Sequence, residues 1–199
     1  MPMMLDRLVN QAIAFATGLA IIGLVAGLTH FIAVLILPEV ATKDAFTLLT
    51  AHRPPNQMIA LPSSRPGNNL VPFRDPQTEQ GFCAFDVGNA PVRIRLKTEE
   101  GRLLTLSFRT PEGKIFYSMT DRAALHGAID IRLVTDDQLK AIEDADDQPE
   151  GLPSELRLKA PTRTGLIVAT ALAAHPSDAD AAEARIKAIT CAPEPLPPN

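Results

Sequence analysis

The chain has 199 residues, 46% of them hydrophobic, with 23 acidic against 19 basic side chains and a formal net charge of −4. That balance, with no basic run anywhere, argues against nucleic acid as a partner. The hydrophobic share is also uneven: Leu8–Pro38 contains no charged residue, while the rest of the chain is rich in Asp, Glu, Arg and Lys.

A bilayer core takes about 20 apolar residues as a helix, so Ala14–Leu37 is expected to cross a membrane with some tilt. A secretory signal has an apolar run of about 7–15 residues before a small-residue cleavage site. Here the run is longer and ends in Leu37, Pro38 and Glu39, which favours an uncleaved single-pass anchor over 1–41. Ala16, Ala20, Gly23 and Gly27 fall on one seam, and the Gly23/Gly27 spacing would let a partner helix approach closely. Glycine is also common in membrane helices without any such role. His30 has no ionisable companion on another span, so an interfacial place or a helix contact suits it better than a proton relay. With Asp6 and Arg7 on one side and Lys43 and Arg53 on the other, positive charge does not decide the orientation.

After the anchor, Thr42 can cap a short amphipathic helix to His52 that carries Phe46, Leu48 and Leu49. Pro54, Pro55, Pro62, Pro66, Pro72 and Pro76 then exclude a helix or a central strand. The segment to about residue 80 is expected to lie extended on the domain, with Met58–Leu61 and Leu70 and Val71 as its contacts. Strands begin at Gly81. Phe82–Val87 is followed by the turn residues Gly88, Asn89, Ala90 and Pro91, and then Val92, Ile94 and Leu96 alternate strictly with Arg93, Arg95 and Lys97. Turns at Glu99–Gly101 and Pro111–Gly113 bound the runs Leu103–Arg109 and Lys114–Ser118. This spacing predicts an antiparallel meander.

Ala128–Val134 reads as another strand. Thr135 and Gln138 form a capping-box pair opening a helix to about Ala145. An acidic loop, Asp146–Pro153, lacks the alternating ligands and central glycine of a calcium loop. Leu156–Ala160 and Gly165–Ala173 read as strands, and Ser177 as the cap of a last helix from Asp178 to about Thr190. The expected fold is mainly β within the α+β class: a single transmembrane helix, then an antiparallel β-sandwich-like domain with two or three short helices. The divisions are a membrane anchor at 1–41, a juxtamembrane helix and Pro-rich segment at 42–80, a β-rich domain at 81–192 and a disordered tail at 193–199.

Cys83 and Cys191 are the two cysteines. In a reducing compartment they would be separate thiols; in an oxidising one they can form a single disulfide, closing a long loop and pinning the end of the chain to the sheet.

Phe85, Asp86 and Val87, Pro91–Arg95, and above all the block Phe116–Ala124 with its Tyr117, Ser118, Asp121, Arg122, Ala123 and Ala124, resemble the small bacterial membrane proteins of the domain-of-unknown-function 1254 family. The apolar span running into Leu37 and Pro38, the residues Ala41–Ala45 and a cysteine near the carboxyl end are similar to that family too. The resemblance implies a β-rich domain on the periplasmic side of the inner membrane. It also implies a companion, since longer relatives fuse this domain to a second β-domain of unknown function and short membrane forms are typically encoded beside a short form of that domain. It supplies no reaction, and no catalytic residue follows from it.

The residues themselves offer little chemistry. There is no nucleophile elbow, phosphate loop, HExxH or CxxC pattern, and His30, His52, His126 and His175 are too far apart in sequence for a paired metal motif. No cofactor or metal is expected. Tyr117, Ser118, Asp121, Arg122 and His126 form the best polar constellation. They could bind a small anionic or sugar-like ligand, with Arg122 as the clamp and Asp121 or His126 exchanging protons. The plainer use, preferred here, is that Asp121 and Arg122 order the turn after a strand. Two functions follow: an envelope subunit or binding module working with a companion membrane protein, or a periplasmic enzyme or carbohydrate-acting module with its site around Tyr117–His126.

Overall fold

A computed structural model describes residues 2–40, 45–51, 53–63, 74–99, 101–145 and 155–195. The expected cap at Thr42, the contacts at Leu70 and Val71, the acidic loop from Asp146 and the last four residues of the tail lie outside them. The chain divides into two units, Met1–Lys43 and Asp44–Asn199.

The first unit is one helix, α1 (Pro2–Val40). Its stretch Val9–Leu37, 29 residues, is long and apolar enough to cross a membrane. From Val9 to Leu37 its Leu, Ile, Val and Phe side chains are exposed all round, without the single apolar stripe of an amphipathic helix. A side chain placed at Gly23 or Gly27 would meet nothing within 4 Å.

The second unit is a two-layer β structure, the mainly β, α+β fold expected. Its elements are α2 (Ala45–Thr50), β1 (Met58–Ala60), β2 (Thr78–Asp86), β3 (Val92–Lys97), β4 (Leu104–Arg109), β5 (Ile115–Thr120), β6 (Ala128–Val134), α3 (Asp136–Ala145), β7 (Leu156–Lys159), β8 (Thr164–Leu172), α4 (Ala179–Lys187) and β9 (Thr190–Pro193). Among the described residues the strands form a five-stranded sheet in the order β1-β2-β8-β4-β5 and a four-stranded sheet in the order β7-β6-β3-β9. All neighbours are antiparallel except β6 and β7. That parallel pair needs a crossover, which α3 provides.

Alternation explains the core. Cys83 and Phe85 of β2, Leu106 and Phe108 of β4, and Ile167 and Ala169 of β8 turn one side of the five-stranded sheet inward. Val92, Ile94, Ile131 and Leu133 do the same for the four-stranded sheet, and Ala182 and Ile186 of α4 close one side of the shared core. Nine of these large side chains, Phe85, Phe108 and Ile94 among them, are under 2% exposed. Each contributes about 1.5–3 kcal/mol through burial. Gly81 sits where α4 crosses: a Cβ there would strike Ile186 and the Ile59 carbonyl. β2 is buried on both sides because Phe82 and Ala84 pack outward with Leu49, Leu61 and Leu166 in a second cluster under α2.

The meander is corrected. Of the four strands β2 to β5, only β4 and β5 pair with one another; β2 to β3 and β3 to β4 each change sheet. Turn residues separate the strands as expected of their composition, but five residues reach about 17 Å when extended, and packed sheets lie about 10 Å apart. The link 87–91 is therefore long enough to cross between layers, and local turn chemistry does not distinguish that from a hairpin.

The end of the chain is corrected as well. α4 stops at Lys187, a 3-10 turn at Pro176–Asp178 precedes it, and Asp178 rather than Ser177 is its N-cap residue, with its carboxylate accepting from the His175 N–H. Cys191 then lies on β9, which pairs with β3 from Arg95↔Thr190 to Val92↔Pro193. Pro193 and Glu194 belong to this sheet and not to a free tail: the Glu194 N–H donates to the Pro91 carbonyl at 2.8 Å. At the other end, Met58–Ala60 pairs with β2 as an edge strand, and the β unit begins well before residue 81.

Candidate functional site

β5 ends at Thr120, and Asp121–Ala123 turns the chain as one 3-10 turn. The chain reverses again at Leu125–Ala128, where the N–H of each end residue donates to the other's carbonyl, at 2.9 and 3.0 Å. His126 and Gly127 occupy the turn with φ of 53° and 75°. Two left-handed positions in succession are what a two-residue hairpin of this twist requires, and only the glycine adopts one freely.

Between these turns and the β3–β4 connection lies a cavity of about 470 Å³, lined by Thr98, Glu99, Leu103, Asp121 and Arg122 among others. The Leu104 N–H donates to Asp121 Oδ1 at 3.3 Å, tying the end of β5 to the start of β4. This is the turn-ordering use of an aspartate. Arg122 is exposed and has no hydrogen bond or ion pair among the described residues. The constellation expected from the sequence is thus divided. Asp121 and Arg122 share a cavity. Tyr117 lies 5.9 Å from the Phe108 ring and packs against the core. His126 is exposed at the tip of its turn, and neither it nor Tyr117 lines the cavity.

The outward side chains of β3, β6 and β7 do not stand apart: they form a charged cluster over the four-stranded sheet. Arg93 donates through Nε and Nη2 to the two oxygens of Asp130, both at 2.8 Å, and through Nη1 to Glu194 at 2.7 Å. Glu155 lies 3.5 Å from Arg93, 3.1 Å from Arg132 and 3.3 Å from Arg157. Register explains the assembly: Arg93 faces Arg132 across β3 and β6, and Arg132 faces Arg157 across β6 and β7, so three guanidinium groups stand in one row. The acids needed to hold them come from the next row, from the loop before β7 and from the residue after β9. The Arg93 hydrogen bonds hold the Asp130 carboxyl below the usual carboxylate range, and Asp130 in turn raises Arg93. Asp86, at the end of β2, is lowered chiefly by the Gly88 N–H and also by Arg163. The alternation of Arg93 and Arg95 was visible in the sequence; the partners, 37 and 101 positions away, were not.

Behind these faces the Sγ atoms of Cys83 on β2 and Cys191 on β9 are 1.99 Å apart, a disulfide joining the two sheets. Both cysteines are buried. Among the described residues no group of three or more His, Cys, Asp and Glu side chains is placed to hold a metal ion.

No protein-family model matches the chain, and no curated protein does. Solved structures do. The VPA0106 protein from Vibrio parahaemolyticus is similar with a TM-score of 0.50 at 15% identity, over 74% of this chain and 35% of that one. An uncharacterised protein from Burkholderia cenocepacia gives a TM-score of 0.43 at 14% identity, over 69% of this chain and 35% of that one. The likeness to the Vibrio protein is one of fold, and the chain spans about a third of the length of these two structures.

Proposed function

We propose that this is a membrane-anchored protein of the bacterial envelope, of the domain-of-unknown-function 1254 kind, whose β-rich domain lies on the periplasmic side of the inner membrane. There it acts as a subunit or binding module with a companion membrane protein that carries a second β-rich domain. The observation that carries this reading is the uneven overlap with the Vibrio protein: most of this chain corresponds to only 35% of that one. The same fold is a part of a larger chain there, and the companion is what the resemblance of Phe116–Ala124 and of the apolar span to the domain-of-unknown-function 1254 proteins implies. The apolar α1 supports the anchor. A disulfide between buried cysteines suits an oxidising space.

Crosslinking in intact membranes, purification of the full chain in mild detergent and identification of what accompanies it test this reading. A β-rich membrane partner in stoichiometric amount is the expected result. Recovery of the protein alone overturns it.

One observation favours a ligand role within the same domain. Arg122, which has no ion pair among the described residues, stands on the wall of a cavity of about 470 Å³ that Glu99 and Asp121 also line, a size within the range of small-molecule sites. A small anion would meet it there, with Asp121 holding the turn in place. This reading calls for binding rather than a reaction, because Tyr117 and His126 do not line the cavity.

A further inference from the structure

The outer side of the five-stranded sheet carries two depressions that run into one another. A crevice of about 300 Å³ lies among Phe46 and Leu49 of α2, Leu61, Phe82, Leu166 and the Pro111–Gly113 turn. A second, of about 400 Å³, lies over Thr105, Ser107, Ser118, Thr120 and Thr170. Gln80, Arg109 and Val168 line both. The character of the surface changes row by row in register. Ala84, Leu166 and Arg109 share one row; Phe82, Val168, Ser107 and Ser118 the next; Gln80, Thr170, Thr105 and Thr120 the third. From the first row to the third is about 14 Å along β8.

The polar groups of this surface are uncommitted. The side chains of Gln80, Thr105, Ser118, Thr120 and Thr170 make no hydrogen bond within the described residues. Among the described residues Arg109 donates only to Ser107 Oγ, at 3.3 Å, and has no carboxylate in ion-pair range. Glu112 also lines the crevice and has a partner of its own. A molecule matching the surface has an apolar end, one negative charge next to it and neutral hydroxyl groups beyond. That is the order of parts in an anionic glycerol or sugar lipid.

We infer that this groove binds one molecule of an anionic membrane lipid, with acyl chain in the crevice beside α2, phosphate at Arg109 and hydroxylated head on the Ser and Thr rows. α2 begins five positions after the end of the apolar α1, so a bilayer entered by α1 would keep such a ligand within reach. The inference therefore rests on the anchored reading, and not on the companion.

The test uses the full chain in phosphatidylcholine nanodiscs, doped either with phosphatidylglycerol carrying a photoreactive group at the acyl end or with phosphatidylcholine carrying the same group. Labelled peptides are mapped by mass spectrometry. Phosphatidylglycerol is expected to label residues 45–51 and 161–170 about tenfold more than phosphatidylcholine. Arg109→Gln should abolish the difference, and Thr105→Val with Thr170→Val should reduce it while the melting temperature stays near that of the parent. Label confined to α1, equal labelling of the groove by both lipids, or preference unchanged in Arg109→Gln overturns the inference. Labelling of α1 by both lipids reports the anchor by itself, so failure of the groove and failure of the anchorage fall on different peptides.

Discussion

The two outer faces of the sandwich use polar side chains in opposite ways. On the four-stranded sheet, Arg93, Arg132 and Arg157 are matched by Asp130, Glu155 and Glu194, and the charges satisfy one another within the domain. On the five-stranded sheet, α2 seals the apolar side over β1, β2 and β8, while among the described residues the hydroxyl rows of β4 and β5 and the guanidinium of Arg109 have no carboxylate partner. A polar group that is paired internally specifies the fold, and one that is left unpaired in a depression is available to something else. The first face holds β9 and Glu194 in place, and the second is where an external ligand has groups to meet.

The tie between the sheets gives the largest way to break this arrangement. Replacing Cys83 and Cys191 together by Ala opens a loop of 108 positions. On the chain-entropy model the loss is about 4–5 kcal/mol, read as a lowered denaturation midpoint in the purified protein. Arg93→Ala should come next, at about 3 kcal/mol. It strips Asp130 of its two principal hydrogen bonds and Glu194 of its closest partner, in a group only 18% exposed. Because Glu194 then loses its hold, β9 should also exchange its amide protons faster than β4 does. An Arg93→Ala protein as stable as its parent would show that the cluster is decoration.

Gln138→Ala is expected to cost about 2 kcal/mol. This buried amide caps α3 through the Thr135 N–H, at 3.0 Å, and donates to the Val87 carbonyl at 2.8 Å, so one side chain fixes the helix to the end of β2. Acid should act more gently and mainly on the charged face. The folded pKa values of Asp130 and Asp86 are depressed, so their contribution is present above the ordinary carboxylate pKa and is lost as pH falls through the depressed values. Melting temperatures followed from pH 6 down to pH 3 should decline chiefly below about pH 4, and Asp130→Asn should flatten that decline. The smallest effects belong to the Asp121 cavity. Asp121→Ala should lose about 1 kcal/mol with its bond to the Leu104 N–H, whereas Arg122→Ala should leave stability within about 0.5 kcal/mol. Equal losses in both would make Arg122 part of the turn and remove the case for an anion there.

Much of this was legible in the chain itself, and the limit has a physical cause. Alternation in Val92–Lys97 and Leu104–Arg109 specifies which side of a strand is apolar, and the structure has those strands with those sides inward. It does not specify which sheet a strand joins, because a short link can close a hairpin or cross the core. The same blindness divided the Tyr117–His126 constellation. Neighbours along a strand point to opposite faces, so Tyr117 turns to the core while Ser118 joins the outer hydroxyl rows. β9, four residues ending in Ala192 and Pro193, is too short for any period to show; its pairing comes from β3, from Glu194 and from the disulfide.

The measurement closest to the central claim is the state of the two thiols in protein taken from its native membrane. Cells are quenched with an alkylating reagent and the chain is unfolded, and alkylation of Cys83 and Cys191 is compared with and without prior reduction. An anchored domain on the oxidising side of the membrane, its sheets joined between β2 and β9, predicts both cysteines protected until the reductant is added. Alkylation of both thiols without reductant would contradict the bridge in the cell and, with it, the placement of the domain.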